Sequence, residues 1–290
     1  MFSGIFDAIE TWLKGLLIST INSNLTTMFS DINAKTGDIA AQVGQTPQEW
    51  NSGIFSMIQS LSETVMIPIA GLIITAVLCW ELISMVTDRN NLNDVDTWMF
   101  FRYFVKMYLA VIIVSNTPAI TQGVFELGKY LADKAATVIK GDTQVSIEDM
   151  LEQMTEQLQE MEVGPLLTLT IESFVAKLCM TVISIVITVV VYGRMIEIYL
   201  YTSVAPVTFA TVGNREWGQI GTNYFKSLFA LAFQAFLMMI CVGIYAAMVS
   251  SIELSDNMRQ ALLQIIISTV VLCYSLMRTG TFSRSLFQAH

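Results

Sequence analysis

Leu166–Tyr192 reads LLTLTIESFVAKLCMTVISIVITVVVY, 27 residues whose only charges are Glu172 and Lys177. A helix needs about 20 predominantly apolar residues to cross a bilayer. This stretch therefore decides the fold class: it is a membrane-spanning helix. Glu172 and Lys177 lie near one end, and apolar β-branched residues dominate from Thr181 to Val191. Arg194 and Glu197 mark the exit, yet Ile198, Tyr199 and Leu200 stay apolar, so the helix is expected to run on to Tyr201. Pro206 should stop or kink it, because the residue before a proline disfavours helical backbone.

Four further apolar runs flank this one, Val65–Val86, Arg102–Phe125, Leu228–Val249 and Ala261–Met277. Composition agrees. Of 290 residues, 54% are hydrophobic and 13% charged, with a mean hydropathy of +0.59. A soluble domain is roughly a quarter charged, so this chain lacks the polar surface to cover a soluble globule. The expectation is an all-α, polytopic transmembrane helix bundle of about five spans.

The spans differ in quality. In the first, Pro68 falls near the first turn, where proline is tolerated, and Trp80 and Trp98 suit an interfacial belt. Glu81 sits at headgroup level or pairs within the bundle, with a place on a conduction path as the lesser reading. The second is weak: its clean run is Met107–Val114, Arg102 and Lys106 flank its inner end, and Ser115, Asn116, Thr117 and Pro118 interrupt it. Polar backbone at membrane depth must be buried in protein or line a cavity, unless Arg102 and Lys106 simply snorkel. The fourth run carries no charge and many small residues, which allow close helix approach. The fifth is short and carries Gln264, Ser268 and Thr269.

Charge orients the bundle. The connections after the first, third and fifth runs, with their flanks, hold Arg89, Arg102, Lys106, Arg194, Arg215, Lys226, Arg278 and Arg284. The connection after the second holds Glu126, Asp133, Asp142, Glu148, Asp149, Glu152, Glu156, Glu160 and Glu162 against Lys129, Lys134 and Lys140. The positive-inside rule puts the basic connections in the cytoplasm. The N-terminus is then outside and the C-terminus inside. Four regions follow: an N-terminal amphipathic helix with a polar extracytoplasmic segment (1–63), two spans with a basic cytoplasmic loop (64–125), an acidic extracytoplasmic loop (126–165), and three spans with a cytoplasmic Pro206–Trp217 loop (166–290).

Two amphipathic helices lie outside the spans. Ile5, Phe6, Ile9, Trp12, Leu13, Leu16 and Leu17 share one face of a helix over 2–17; it lies in the interface or packs on the bundle. Residues 19–51 are polar and read as loop with a possible short helix. In the acidic segment, Ser146 can cap a helix whose stripe is Ile147, Met150, Leu151, Met154, Leu158 and Met161. A methionine-rich stripe suits a partner groove or caps its own bundle, and the two readings weigh equally.

Chemistry is sparse. Cys79, Cys179, Cys241 and Cys273 sit singly inside apolar runs, and the one histidine is His290. No metal, cofactor or catalytic site is expected, and a histidine-dependent nucleophile is excluded within the bundle. The net charge of −9 carries no basic patch for nucleic acid, so any nucleic acid is handled indirectly, as cargo. Asp7, Glu10 and Lys14 interrupt the N-terminal run, which is no signal peptide. A secondary transporter of a small solute is the alternative function. Five spans do not divide into equal halves, however, and no repeat is visible.

Residues Tyr199–Tyr245, YLYTSVAPVTFATVGNREWGQIGTNYFKSLFALAFQAFLMMICVGIY, resemble the central segment of TrbL-type subunits of type IV secretion and conjugation machines. The likeness rests on Ala205 and Pro206, a short loop with Gly213, Trp217 and Gly218, and the apolar helix from Leu228. Its wording is similar to versions on conjugative elements of Gram-positive bacteria. The resemblance implies a multi-pass cell-membrane scaffold or channel subunit that helps a relaxase-bound DNA strand or a protein across the envelope. It also implies a homo-oligomer that works with ATPases, a coupling protein and a lysozyme-like or tip subunit. Some relatives carry a long C-terminal extension, and this chain ends soon after its fifth run.

Overall fold

The computed structural model describes residues 2–87, 97–139, 147–214, 217–252 and 258–289. Arg89, Asp94, Lys140, the Ser146 cap, Arg215, Glu253 and His290 lie outside this set. Every regular element among the described residues is helical. In chain order they are α1 (Phe2–Val43), α2 (Pro47–Trp50), α3 (Ser52–Leu61), α4 (Ile67–Thr87), α5 (Thr97–Ser115), α6 (Thr117–Ile139), α7 (Ile147–Glu160), α8 (Val163–Phe209), α9 (Gly218–Ser250) and α10 (Met258–Leu286).

Four stretches are long and apolar enough to cross a membrane: Ser52–Thr87, Val163–Phe209, Gly218–Ser250 and Arg259–Leu286. A fifth exists if α5 and α6, bent by 67° at their junction, count as one broken span. The protein is a polytopic helical membrane bundle. The weak second run is this broken pair. At the break, Thr117 is buried and its hydroxyl donates to the Val114 carbonyl at 2.8 Å. The Asn116 amide likewise donates to Ile112 O at 2.8 Å. Side chains thus occupy backbone acceptors near the bend, as polar backbone at membrane depth requires.

The first span contains a π-helical turn, Ser62–Met66, in which the Ile67 N–H donates to Ser62 O, five residues back. Pro68 follows directly. A proline ring clashes with the carbonyl four residues earlier, and a π-turn is one way to relieve that crowding.

The contacts divide the chain into two compact units. The first comprises Met1–Gln42, Lys134–Val191 and Met238–Arg278. Its core gathers Leu17, Ile21, Leu25 and Met28 of α1, Met154 and Leu158 of α7, Leu166, Leu169, Ala176 and Met180 of α8, and Leu262 and Ile265 of α10. This packing explains why residues 19–43, expected to be loop, are helical. Their composition is polar, but a four-residue apolar rhythm lies within it, and tertiary burial of one helix face outweighs propensity. The Asn24 amide also donates to Ser173 Oγ at 3.2 Å inside this core.

The second unit comprises Val43–Asp133, Tyr192–Leu237 and Thr279–His290. Here α2 is one turn closed by a capping box: Thr46 N–H donates to the Glu49 carboxylate at 2.9 Å, and Glu49 N–H to Thr46 Oγ1 at 3.3 Å. The turn is docked by the Tyr199 hydroxyl, which donates to Pro47 O at 2.7 Å, and by Trp50, edge-on to Tyr192 at 5.5 Å. On α6, Gly128 faces Ala232 of α9 so closely that a Cβ there would lie 2.6 Å from the Ala232 carbonyl oxygen.

The acidic connection is shorter than expected. Residues 126–139 belong to α6 and 147–160 to α7, because the Lys and Asp positions of 126–139 alternate with buried Ala132 and Ala135. Likewise α8 runs past Pro206 to Phe209, so among the described residues only 210–214 and Trp217 remain of the predicted Pro206–Trp217 loop.

Candidate functional site

The C-terminal end of α8 and the turn into α9 form a tight assembly in the second unit. Ala205 and Ala210 are fully buried beside Ala70, Ile74, Ala110 and Val114 of the first and broken spans. Their small side chains let α8 approach those helices. Pro206, lacking an N–H, sits in the last turn, and the helix ends three residues later. Tyr224 then ties α9 back to α8. Its hydroxyl donates to Tyr201 O at 2.6 Å, its ring stacks on Tyr201 at 5.7 Å, and Phe209 meets it edge-on at 5.3 Å.

The turn is built by Asn214. Its side-chain oxygen accepts the Trp217 N–H at 2.8 Å and its carbonyl accepts the Gly218 N–H at 2.9 Å. That is N-cap chemistry for α9. No described glycine adopts positive φ, so the glycines here serve close approach. A Cβ at Gly221 would lie 2.7 Å from Thr208 O, and one at Gly218 3.0 Å from Val212 O; one at Gly213 would only touch Ala110 at 3.5 Å. Trp217 projects outward, about half exposed, with Val212 and Ile220 also exposed.

The charged residues singled out in the sequence are placed as helix-to-helix pairs, with exceptions. Lys106 of α5 meets Glu81 of α4 at 2.6 Å. Arg259 of α10 meets Glu172 of α8 at 2.6 Å in the first unit. Arg284 of α10 pairs with Glu197 of α8 in the second. Arg102 is exposed and Lys177 half-buried.

Arg194 is buried within the protein. It is 5% exposed, on the buried face of α8 with Val191, Met195 and Ile198. One guanidinium nitrogen donates to Leu231 O at 3.4 Å, another lies 3.8 Å from the Met195 sulfur, and Nε has no hydrogen-bond partner. Reading the buried stripe past Tyr192 would have found it, since Ile187, Val191 and Ile198 fix that face.

The methionine stripe of α7 faces inward. Met154 and Leu158 are fully buried in the core of the first unit and Met161 packs against it. These three residues of the stripe pack on their own bundle, and the side chains of Ile147, Met150 and Leu151 lie outside the described set. Among its described residues α7 exposes Glu152, Glu156, Gln159 and Glu160.

These arrangements hold helices together and present surfaces. Among the described residues, no group of three or more His, Cys, Asp or Glu is placed to bind a metal. No match was found among curated proteins or among solved structures. The sequence model of the TrbL/VirB6 plasmid conjugal transfer-like family matches residues 32–206. The match begins inside α1 and stops at Pro206. It includes the Ala205–Pro206 pair but not the Trp217 turn or the α9 helix on which the resemblance was also read. It spans more than half of the chain, which belongs to the TrbL/VirB6 plasmid conjugal transfer-like family.

Proposed function

We propose that this protein is an integral channel or scaffold subunit of a type IV secretion machine, acting in conjugative transfer of relaxase-bound single-stranded DNA or of protein. The observation that carries this is the family match over 32–206 on a chain with four or five membrane-crossing helices. The non-enzymatic reading rests on the same family match. The subunit sits in the cytoplasmic membrane with its N-terminus outside and its basic connections inside. It works as a homo-oligomer beside the machine's ATPases, coupling protein and a lysozyme-like or tip component. In this reading the exposed Val212–Trp217–Ile220 surface docks a cytoplasmic partner, and nucleic acid meets the chain only as cargo.

An in-frame deletion on the parent element, complemented in trans, tests this by mating frequency. Transfer should fall by orders of magnitude and return with the wild-type gene. Undiminished transfer by the deletion strain would overturn the proposal. Trp217→Ala should lower transfer while leaving the membrane level of the protein unchanged; equal loss of both would give that tryptophan a folding role instead.

A further inference from the structure

In the second unit one carboxylate has two arginines within its reach. Glu197 of α8 is paired with Arg284 of α10. Arg194 lies three residues before Glu197 on the same helix, and side chains three apart on a helix are neighbours. The two arginines are placed very differently. Arg284 is part-exposed, where solvent screens a pair and leaves it little net worth. Arg194 is buried, where an ion without a counter-ion is costly. Among the described residues no carboxylate pairs with it, and its contacts are long: 3.4 Å to Leu231 O and 3.8 Å to the Met195 sulfur, with none at Nε. The carboxylate therefore sits on the guanidinium with the lesser need.

A second observation concerns how the three helices meet at this level. The end of α10 is held closely to α9. The Ser283 hydroxyl, buried, donates to Ala230 O at 2.6 Å, and the Phe287 ring packs against those of Phe229 and Phe233. At Arg194 and Glu197, by contrast, α8 is tied to these two helices only by the long Arg194 bond and the part-exposed Glu197–Arg284 pair. One turn beyond Leu231 on α9, Gln234 Oε1 is also buried without a hydrogen-bond partner. The polar layer at this level is therefore incompletely satisfied, and α8 is its loosely held member.

Replacing a buried ion by an apolar side chain is often neutral or stabilising, so a lone buried cation in a spanning helix marks a use beyond holding the fold. We propose that Glu197 exchanges between Arg284 and Arg194. In the arrangement seen here it bridges α8 to α10. In the other it turns along α8, neutralises Arg194 and releases α8 from α10. Arg194 is a positioning residue: it supplies the second partner that lets α8 shift against the joined α9 and α10. That the shift serves transfer rests on the function proposed above; the exchange itself does not.

Thermal unfolding of the full chain in mild detergent tests this. Arg194→Met removes the lone cation, keeps a long apolar side chain and should raise the midpoint. Arg194→Lys keeps a cation and should not raise it. A midpoint lowered by Arg194→Met would make the arginine a packing element and overturn the proposal. The exchange itself is read in a chain carrying Arg284→Gln, where Glu197 has Arg194 alone. There Arg194→Met should lower the midpoint, because it breaks a buried pair, and Glu197→Gln should cancel that loss. The same effect of Arg194→Met in both backgrounds would overturn the exchange. Where Arg194→Met does not accumulate, Arg194→Gln takes its place in both measurements. Neither measurement needs mating. A reversed sign in a protein dispensable for transfer would sink the proposed function alone, and an unreversed one in an essential protein would sink this inference alone.

Discussion

Helices α1 and α8 are neighbours in one unit, with one buried face each against the same core, and they reach the helical state by opposite routes. The α8 helix is apolar on every side through its middle, so its sequence announces a span before any packing is known. Past its first turns, the apolar side chains that α1 buries among the described residues are Leu17, Ile21, Leu25, Met28, Ile39 and Val43. Without α8 and α10 to cover those residues, little would hold the segment helical in water, since most helix stability in proteins comes from packing an amphipathic face. The difference teaches that one covered face can hold a helix that composition alone does not announce.

The largest break of this comparison comes from moving a charge between the two outer faces. Val182→Asp puts a carboxylate against lipid, which costs about 2.5–3.5 kcal/mol at a helix centre. The fraction of protein resistant to alkaline extraction should fall several-fold. Ala34→Asp adds the same group to α1 and should leave that fraction unchanged. Similar losses in both would mean that the two faces see one solvent.

Next in size is the contrast between the two faces of α1 itself. Leu25→Ala removes a fully buried side chain and should destabilise the detergent-solubilised protein by about 2–5 kcal/mol. Ser23→Ala, on the exposed face, should stay within about 0.5 kcal/mol. Denaturant titration followed by helix signal compares them. A Leu25 effect as small as that of Ser23 would detach α1 from the core. Between these lies the polar contact that sets the register. Asn24→Ala or Ser173→Ala should cost about 0.5–1.5 kcal/mol each, with a coupling energy in the double mutant; strictly additive losses would deny the bond.

This contrast also explains what the amino-acid order made legible. Long uniform runs such as Thr181–Val191 need only composition to be read, and all the long spans were visible in that way. Residues 19–43 hid because Ser, Thr, Asn, Asp and Gly dominate them, and the informative Leu17–Ile21–Leu25–Met28 spacing carries weight only once a covering surface exists. The same reason hid the direction of the Met154–Leu158 stripe: amphipathicity says that a face is covered, not by what. The burial of Arg194 stayed hidden because a cation at the end of an apolar run normally marks the interface, whereas α8 continues fifteen residues beyond it to Phe209. The Pro206–Trp217 region was recognisable as a turn, but the cause of its tightness, Gly221 against Thr208, joins positions thirteen apart and shows only in three dimensions.

Just past α1, Glu49 allows the smallest test, of whether the chain emerges into water there. Its carboxylate accepts from the Lys129 side chain at 2.5 Å and from the Thr46 backbone N–H at 2.9 Å. The Lys129 hydrogen bond, and after it the Thr46 one, holds its pKa below the ordinary glutamate value. A depressed folded-state pKa contributes stability that is fully present above the unfolded value and is lost as pH falls through the folded one. Because this pair is partly exposed, solvent screens it and the contribution is small. The thermal midpoint of Glu49→Gln should therefore lie slightly below that of the wild type at neutral pH, and the two should converge as the medium is acidified below the carboxylate range. Added salt should narrow the neutral-pH gap too, since ions reach an exposed pair. A gap that persists unchanged through acid and salt would place Glu49 away from bulk water and give the Lys129 pair a buried, unscreened role in holding α2 against α6.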